Sequence, residues 1–156
     1  MNFDITIDGD PKGQPRARAY ARKMGSKFVA RMYDSDVADV WKAQVRNSVL
    51  AVANAKGLRA SEGPFEVEMR FGFTRPQSHF LTSGALSKGR VLEHLQKPDA
   101  DNLAKLVLDV ITRLQRLWMD DDQVVRLVVE KSWEVVGFDA GCHLRINDTT
   151  TETREQ

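Results

Sequence analysis

Cysteine is almost absent from this sequence, which has Cys142 as its single copy among 156 residues. An intrachain disulfide and a cluster of thiolate metal ligands are therefore both excluded, and a reducing cytoplasm is the expected location. Cys142 falls at an alternating position of a late strand pattern. That position favours a small core or sheet residue over a nucleophile.

Long apolar runs are also missing. No window approaches the roughly eighteen apolar residues of a membrane span, and residues 1–4 lack the basic and apolar regions of a signal peptide. We therefore expect no membrane partner. The composition, 42% hydrophobic and 29% charged, is typical of a globular protein. We predict a single domain over residues 1–146 and a polar, disordered tail over residues 147–156, which contain no apolar side chain.

The chain has almost no net charge, since the formal value is +1, but its charges are segregated along the sequence. Between Lys12 and Arg31 there are seven Lys or Arg residues and no acid. Acidic residues instead gather in two later segments, residues 97–105 and 117–124. A basic stretch beside an acidic centre is suited to a polyanion held near a metal ion.

Hydrophobic periodicity predicts two strands and one helix in the first half. Residues 3–8 and 65–73 alternate apolar and polar side chains, as half-buried strands do. From an N-cap at Ser35 or Asp36, the apolar residues follow helical spacing until Gly57. This stripe consists of Val37, Val40, Trp41, Val45, Val49 and Val52. The basic stretch between the first strand and this helix is interpreted as an extended arm or loose hairpin.

The second half predicts one more helix and two strands. A wide apolar stripe runs from Leu103 to Leu117 after Pro98. Residues 124–136 then read as a long strand, with residues 140–146 as its hairpin partner. The resulting order is β-α-β-α-β-β. We expect an α/β (α+β) fold in which two helices pack on one face of a small mixed sheet.

The two acidic segments predict a metal site. Asp99 and Asp101 stand at the start of the second helix, and Asp120, Asp121 and Asp122 follow its end. Clustered carboxylates repel one another, but they are favourable around Mg²⁺, which prefers oxygen ligands. Lys105, one turn beyond Asp101, is suited to a phosphate. The segments meet only if the chain turns back along the helix.

Simpler interpretations exist for each segment alone. Asp99 or Asp101 would cap the helix, because aspartate oxygens accept from free N–H groups there. Residues 120–122 would form a solvated turn. Lys105 would be a surface partner of Asp101 at i, i+4. The long irregular segment 74–96 is either functional or disordered, and its basic residues favour function.

The two acidic segments together make the chain similar to a known family, the RusA-like Holliday junction resolvases of bacteria and their phages. The resemblance is carried by Lys97-Pro98-Asp99-Ala100-Asp101-Asn102-Leu103-Ala104-Lys105 with Asp109, then by Trp118-Met119-Asp120-Asp121-Asp122-Gln123-Val124 and the strand to Lys131. A weaker similarity to the Gly/Pro-Arg-rich arm of relatives lies in Gly13-Gln14-Pro15-Arg16-Ala17-Arg18. In element order, the resemblance covers residues 5–146.

This resemblance implies an Mg²⁺-dependent endodeoxyribonuclease, with Mn²⁺ as an alternative cation. The family's metal-binding aspartates fall on Asp99, Asp101 and Asp121, and its catalytic lysine falls on Lys105. Asp120 matches a further acidic position. Asp122 is often a small residue in relatives, so which carboxylates of the triplet face the metal stays open.

The resemblance also implies a partner and an assembly. The family acts as homodimers that nick four-way DNA junctions symmetrically, in recombination and repair or in phage DNA processing. No organic cofactor is implied. The residues expected to contact DNA phosphates are Arg16, Arg18, Arg22, Lys23, Lys27 and Arg31, with Tyr20 or Phe28 as candidates for stacking on an opened base.

Two other functions remain open at this point. The same metal site would serve a nuclease for flaps, forks or other branched DNA. From another class, the chain would be a DNA-binding module whose aspartates only cap a helix. Replacing the aspartates by asparagine separates these readings, because only an enzyme loses cutting while it keeps DNA binding.

Overall fold

A computed structural model describes residues 2–15, 18–33, 36–134 and 139–150. Six strands and two helices make up the fold. They are β1 (Asn2–Asp8), β2 (Arg18–Met24), β3 (Lys27–Tyr33), α1 (Asp39–Ala55), β4 (Phe65–Phe73), α2 (Ala100–Leu114), β5 (Val124–Trp133) and β6 (Gly141–Asp148). No helix in these ranges is long and apolar enough to cross a membrane.

The main sheet has four strands in the order β1-β6-β4-β5. β5 pairs parallel to β4, while β6 pairs antiparallel to both β4 and β1. β2 and β3 form a separate antiparallel hairpin. Because the helices α1 and α2 contact each other and the sheet edges β1 and β5, both lie on one face. The predicted α+β class with a mixed sheet is confirmed.

The core lies between that sheet face and the two helices. Alternate residues of β4 are buried, from Phe65 to Phe73, and the intervening ones are more exposed. α1 contributes Trp41, Val45 and Val49, and α2 contributes an apolar stripe that includes Leu103 and Ile111. Cys142 is buried in β6, as predicted, and burial raises the pKa of its thiol to about 12. It is therefore unreactive at neutral pH.

The predicted hairpin between β5 and β6 is wrong. β6 lies between β1 and β4 and makes no ladder with β5. The reason is the connection through α2, which carries the chain from β4 to the outer edge of the sheet as a parallel crossover. β6 then returns to the interior of the sheet, where it is hydrogen-bonded on both sides.

Other boundaries also differ from the sequence prediction. The basic stretch adds β2 and β3, so the observed order is β-β-β-α-β-α-β-β. α1 begins at Asp39 after a 3-10 turn over Asp36–Ala38, with Ala38 rather than Asp36 at the cap. Val37 and Val40 face solvent, so they are not part of the buried stripe. Ser35 lies outside the described residues.

The C-terminal boundary is also later than predicted. β6 continues to Asp148, so residues 147 and 148 belong to the sheet rather than to a tail. Thr149 donates its backbone N–H to the carbonyl of Pro64 at 3.0 Å. Residues 135–138, which hold the end of the predicted long strand and most of its turn, lie outside the described residues, as do residues 151–156.

Candidate active site

Asp99 stands at the N-cap of α2, but its side chain does not cap the helix. Its backbone is extended, and its carboxylate makes no hydrogen bond to the first turn. Among the described residues, the ion-pair partner of Asp99 is the Nζ of Lys97, 3.9 Å from Asp99 Oδ2. Asp101 is exposed in the first turn and has no ion-pair partner among the described residues. The capping interpretation therefore does not account for Asp99, whose carboxylate stays available to a ligand.

Lys105 extends toward the C-terminal end of α2, away from its expected partner Asp101. Its Nζ lies 3.6 Å from Asp109 Oδ1, one turn later, and not against Asp101. The lysine side chain is 62% exposed, whereas that of Asp109 is 24% exposed. The ammonium group thus lies at the protein surface, beside a half-buried carboxylate.

The acidic turn after α2 is held in place by one side-chain amide. Gln123 accepts from the backbone N–H groups of Met119 at 2.7 Å and Asp120 at 3.1 Å. Its amide nitrogen donates to the carbonyls of Ser61 and Gly63, at 2.9 and 3.0 Å. The carboxylate of Asp120 accepts from the N–H of Asp121 at 2.8 Å, and Asp120 and Gln123 form a reciprocal capping box around this turn. This turn is an ordered structure rather than a loosely solvated one.

Trp118 anchors the chain that leads into the same turn, because its side chain is buried in the core. Its ring is fully buried and contacts Phe65 edge-on, with the ring centroids 5.4 Å apart. The indole N–H donates to the hydroxyl of Thr112 at 2.8 Å. Trp118, two residues before the acidic triplet, is therefore anchored to both α2 and the sheet.

Asp121 is the half-buried member of the acidic triplet, while Asp120 and Asp122 are exposed. Partial burial raises its pKa. A hydrogen bond with Asp120 and the negative charges of Asp120 and Asp109 add to the rise, while Lys105 opposes it. The charges of Lys105 and Asp109 on α2 thus act on the carboxyl group of Asp121 in the turn after the helix. Carboxylates held together at this cost are favoured by a cation between them.

The donor chemistry fits a hydrated magnesium ion. Among the described residues, no three His, Cys, Asp or Glu side chains are close enough together to hold a metal ion by themselves. Mg²⁺, however, usually binds through one or two carboxylates, with waters and substrate phosphates as its other ligands. Asp121 and Asp120, which share a side-chain hydrogen bond in the ordered turn, satisfy that requirement. Asp99 and Asp101 lie at the start of α2, apart from this group.

The basic arm is attached to the same end of α2. Gln14 donates its backbone N–H to the carbonyl of Asn102 at 3.1 Å. A Cβ on Gly13 would lie 2.4 Å from the Asn102 amide nitrogen and 3.2 Å from Pro98 Cβ. A side chain therefore does not fit at Gly13, and the arm leaves the domain directly beside the first acidic segment.

The hairpin β2–β3 carries exposed basic side chains. Arg22, Lys23 and Lys27 are exposed near its tip. Lys23 faces Phe28 across the two strands, and Arg22 faces Val29. Of the other predicted DNA contacts, Arg16 lies outside the described residues, and only the backbone of Arg18 and Arg31 is described.

The segment 74–96 is a packed loop. His94 stacks on Phe73 with ring centroids 3.9 Å apart, and His79 meets Trp133 edge-on at 4.9 Å. Both histidines are buried. Arg75 lies over the Trp133 ring at 5.8 Å and donates to the carbonyl of Val91 at 2.9 Å. The loop therefore has a small core of its own, which supports the chain that enters the first acidic segment.

Sequence reasoning missed two supporting residues. Lys131 of β5 donates from Nζ to the carbonyls of Gln96 at 2.5 Å and Pro98 at 2.7 Å, which fixes the chain just before Asp99. In the sequence, Lys131 stands at an alternating position between Val129 and Trp133, where an apolar residue is expected. In the structure, it pairs with buried Phe71 in the register of β4 and β5. Gln123 was visible only as the polar residue that precedes the strand.

Comparison with known proteins agrees with this arrangement. A family model described as Endodeoxyribonuclease RusA matches residues 8–139, which include both acidic segments and the basic arm. A search of curated proteins finds no match. Because the family model covers most of the sequence, the resemblance predicted from the acidic segments is confirmed. This chain belongs to the RusA family of endodeoxyribonucleases.

Proposed function

We propose that this protein is an Mg²⁺-dependent endodeoxyribonuclease that resolves four-way DNA junctions by paired, symmetric nicks. Its setting would be recombination and repair, or phage DNA processing. The observation that carries the proposal is the half-buried Asp121, which is hydrogen-bonded to Asp120 in the ordered turn and whose pKa is affected by the ion pair of Asp109 and Lys105 on α2. Family membership supports the DNA-cleaving activity.

Carboxylates from both acidic segments would hold one or two metal ions, with water molecules completing the coordination between the separated segments. Asp121 and Asp120 would supply oxygens from the ordered turn, and Asp99 and Asp101 would supply them from the start of α2. Mn²⁺ would substitute, since it accepts the same oxygen ligands. When bound, the ion activates a water molecule and neutralises charge that develops on the scissile phosphate. Within the part of the chain that the structure describes, the carboxylate of Asp99 does not cap α2 and that of Asp101 has no ion-pair partner, which supports their part in this set.

Lys105 would position the scissile phosphate and stabilise the negative charge of the transition state. Its present partner supports this role, because an exposed i, i+4 ion pair is worth only a few tenths of a kcal/mol. Exchange of Asp109 for a phosphate oxygen is therefore inexpensive.

The basic hairpin would bind the DNA on either side of the cut. Arg22, Lys23 and Lys27 present exposed charges there, and Arg16, Arg18 and Arg31 belong to the same basic stretch. Each phosphate neutralised by such a residue releases counterions, so binding falls steeply with salt. These contacts position the substrate without reading its sequence.

Two nicks placed symmetrically require two active sites. The described part of this chain contains one candidate site, and a four-way junction has near two-fold symmetry. A C2 homodimer is the smallest assembly that meets both conditions. Cleavage of a cruciform plasmid reports it directly, because paired nicks give linear product whereas independent nicks give an open circle.

The substrate class is tested with four labelled DNAs of equal length: a four-way junction, a fork, a flap and a linear duplex. We expect Mg²⁺-dependent nicks in the junction, none in the duplex, and loss of nicking in Asp99→Asn, Asp101→Asn and Asp121→Asn. Asp39→Asn, which changes the first turn of α1 instead, is the matched control and retains activity. Preferred cutting of the flap or fork would indicate a different branched substrate. Binding without any cut in Mg²⁺ or Mn²⁺ would indicate a DNA-binding module.

A further inference from the structure

The hairpin β2–β3 stands apart from the rest of the fold. Its two strands pair only with each other and form no ladder with the main sheet. A two-stranded hairpin is marginally stable in water by itself, and it usually needs a third strand or another surface to cover it. We therefore expect a bound ligand to cover the hairpin and stabilise it.

The tip of this hairpin combines apolar and basic side chains. Phe28 is 72% exposed and Met24 is 63% exposed, on either side of the turn at Gly25. Lys23 is the cross-strand neighbour of Phe28, and Lys27 is the neighbour of Met24. An exposed aromatic ring favours an apolar surface, whereas the surrounding ammonium groups favour a polyanion.

Nucleic acid with unpaired bases meets both conditions. The segment from Lys12 to Arg31 has seven basic residues and no acid, which disfavours a basic or purely apolar protein partner. In a continuous duplex, the base faces are hidden within the stack. Only unpaired or unstacked bases offer a flat apolar face beside phosphates, and aromatic side chains on basic surfaces bind them by stacking.

The hairpin is placed to contact the DNA that is bound at the candidate active site. The chain that leads into it is fixed to the start of α2 at Gly13 and Gln14, and Gln14 is four residues before β2. β2 spans seven residues, Arg18–Met24, so it extends for about 20 Å at the usual rise of a strand. That length corresponds to about six base steps. One DNA molecule can therefore contact both the acidic centre and the hairpin tip.

We propose that Phe28 stacks on an unpaired base of branched DNA, while Lys23 and Lys27 bind the phosphates beside that base. This inference rests on the proposed function, because it assumes a DNA substrate with an opened branch point. It goes further by naming the residue that distinguishes such DNA from a continuous duplex. Phe28 is a specificity-determining residue rather than a catalytic one.

A tryptophan in place of Phe28 reports the stacking directly. The native indoles of Trp41, Trp118 and Trp133 are buried, so the new exposed indole in Phe28→Trp is the one that an added quencher reaches. Spectra are recorded in EDTA, where no cutting occurs, with a single-stranded oligonucleotide, a four-way junction and a blunt duplex. We expect quenching of the new indole and its protection from acrylamide with the first two DNAs and not with the duplex. Val40→Trp, on the exposed side of α1, is the control and gives no change.

Affinity measurements complete the test. Phe28→Ala is expected to weaken binding of the single strand and the junction by about 5-fold to 100-fold, the usual range for loss of one stacked base. Binding of the blunt duplex remains within about 2-fold, and Phe28→Tyr restores the loss. Equal far-UV spectra and melting temperatures show that the variants are folded.

Two results would overturn the inference. One is an equal loss, or no loss, of affinity for all three DNAs in Phe28→Ala, and the other is an unquenched indole in Phe28→Trp bound to the junction. Neither depends on cutting. A wild type that stacks on unpaired bases but never cuts in Mg²⁺ or Mn²⁺ would contradict the proposed nuclease and leave this inference supported.

Discussion

Lys105 and Asp109 form an ion pair one turn apart on α2, with Nζ 3.6 Å from Oδ1. Asp109 also contributes to the negative potential that raises the pKa of Asp121, whereas Lys105 opposes it. Both residues therefore act electrostatically on the acidic turn that follows the helix. Asp109 is a carboxylate that modulates the candidate site, in addition to the aspartates expected from the sequence.

Replacement of Asp109 by asparagine should lower the pKa of Asp121. The substitution removes one of the negative charges that disfavour the ionised form, so the carboxyl ionises at lower pH. Carboxyl carbon chemical shifts, followed by NMR through a titration of the metal-free protein, measure this change. Asp39→Asn, on α1, should leave the titration of Asp121 as it is. An unchanged or higher pKa of Asp121 in Asp109→Asn would show that the two carboxylates do not interact.

Replacement of Asp121 by asparagine should stabilise the metal-free protein while it removes the response to Mg²⁺. The pKa of Asp121 is raised in the folded state, so its charged form at neutral pH is unfavourable to folding. In EDTA, we expect the melting temperature to rise by about 2 °C. Ligand that binds only the folded state stabilises it by about 1.4 kcal/mol at ten times its Kd, or about 4 °C here.

The wild type should therefore gain stability with Mg²⁺, and the Asp121→Asn variant should gain little. Differential scanning fluorimetry in EDTA and across a magnesium titration gives both values. An Asp121→Asn variant that melts well below the wild type in EDTA would assign a structural role to the carboxylate. An equal response to Mg²⁺ in both proteins would place the ion elsewhere.

Gln123 should be important for stability, because its amide makes four hydrogen bonds to backbone groups on two segments. Gln123→Leu leaves those groups without a partner and removes the capping box. We expect a loss of about 2–4 kcal/mol in the free energy of unfolding, measured with urea. Gln77→Leu, at an exposed position of the loop, should change it by less than about 0.5 kcal/mol. A loss of that small size in Gln123→Leu would mean that the turn is held by other contacts.

The packed loop should make the protein less stable in mild acid. Burial lowers the pKa of His79, and the positive charges of Arg90 and Arg75 lower it further. Burial also lowers the pKa of His94, and the positive charge of Lys131 adds to that decrease. In the unfolded chain, these histidines take up protons near their usual pKa of about 6.5. Below that pH, the unfolded state therefore binds more protons than the folded state does. The contribution of these two histidines to stability is fully present above about pH 6.5 and is lost as the pH falls.

Urea unfolding at pH 7.5 and pH 5.5 measures this decline. His94→Phe preserves the stacking on Phe73 but cannot take up a proton, so the difference between the two pH values should shrink. His143→Gln, on the solvent face of β6, serves as the comparison. A pH dependence that is the same in His94→Phe and in the wild type would remove His94 as its source.

The sequence was most informative where periodicity and chemistry coincide. The alternation in Phe65–Phe73 predicted both the strand and its buried face, because side chains of a strand alternate between two environments. The aspartates at the start of α2 and after its end predicted the two parts of the candidate site. Val37, which precedes α1, and Val40, in its first turn, show the limit, since both are exposed despite their helical spacing.

Features that depend on which strands become neighbours were not predictable from this sequence. Strands close in sequence usually pair, which favoured a hairpin of β5 and β6, yet β6 pairs with β1 and β4. The contacts of Lys131 also depend on strand placement, because they require the end of β5 to lie beside Pro98. The choice of Asp109 over Asp101 as the partner of Lys105 is likewise set by side-chain direction rather than by spacing, which is four residues for both.

The most direct measurement is the cleavage and binding of one labelled four-way junction by wild type and Asp101→Asn, each in Mg²⁺ and in EDTA. We expect paired nicks from the wild type in Mg²⁺ alone, and no nicks from Asp101→Asn. The variant should bind the junction at least as tightly as the wild type, because one negative charge near the phosphates is gone. Nicks by Asp101→Asn at the wild-type rate, or nicks by the wild type in EDTA, would contradict a metal-dependent site that includes the start of α2.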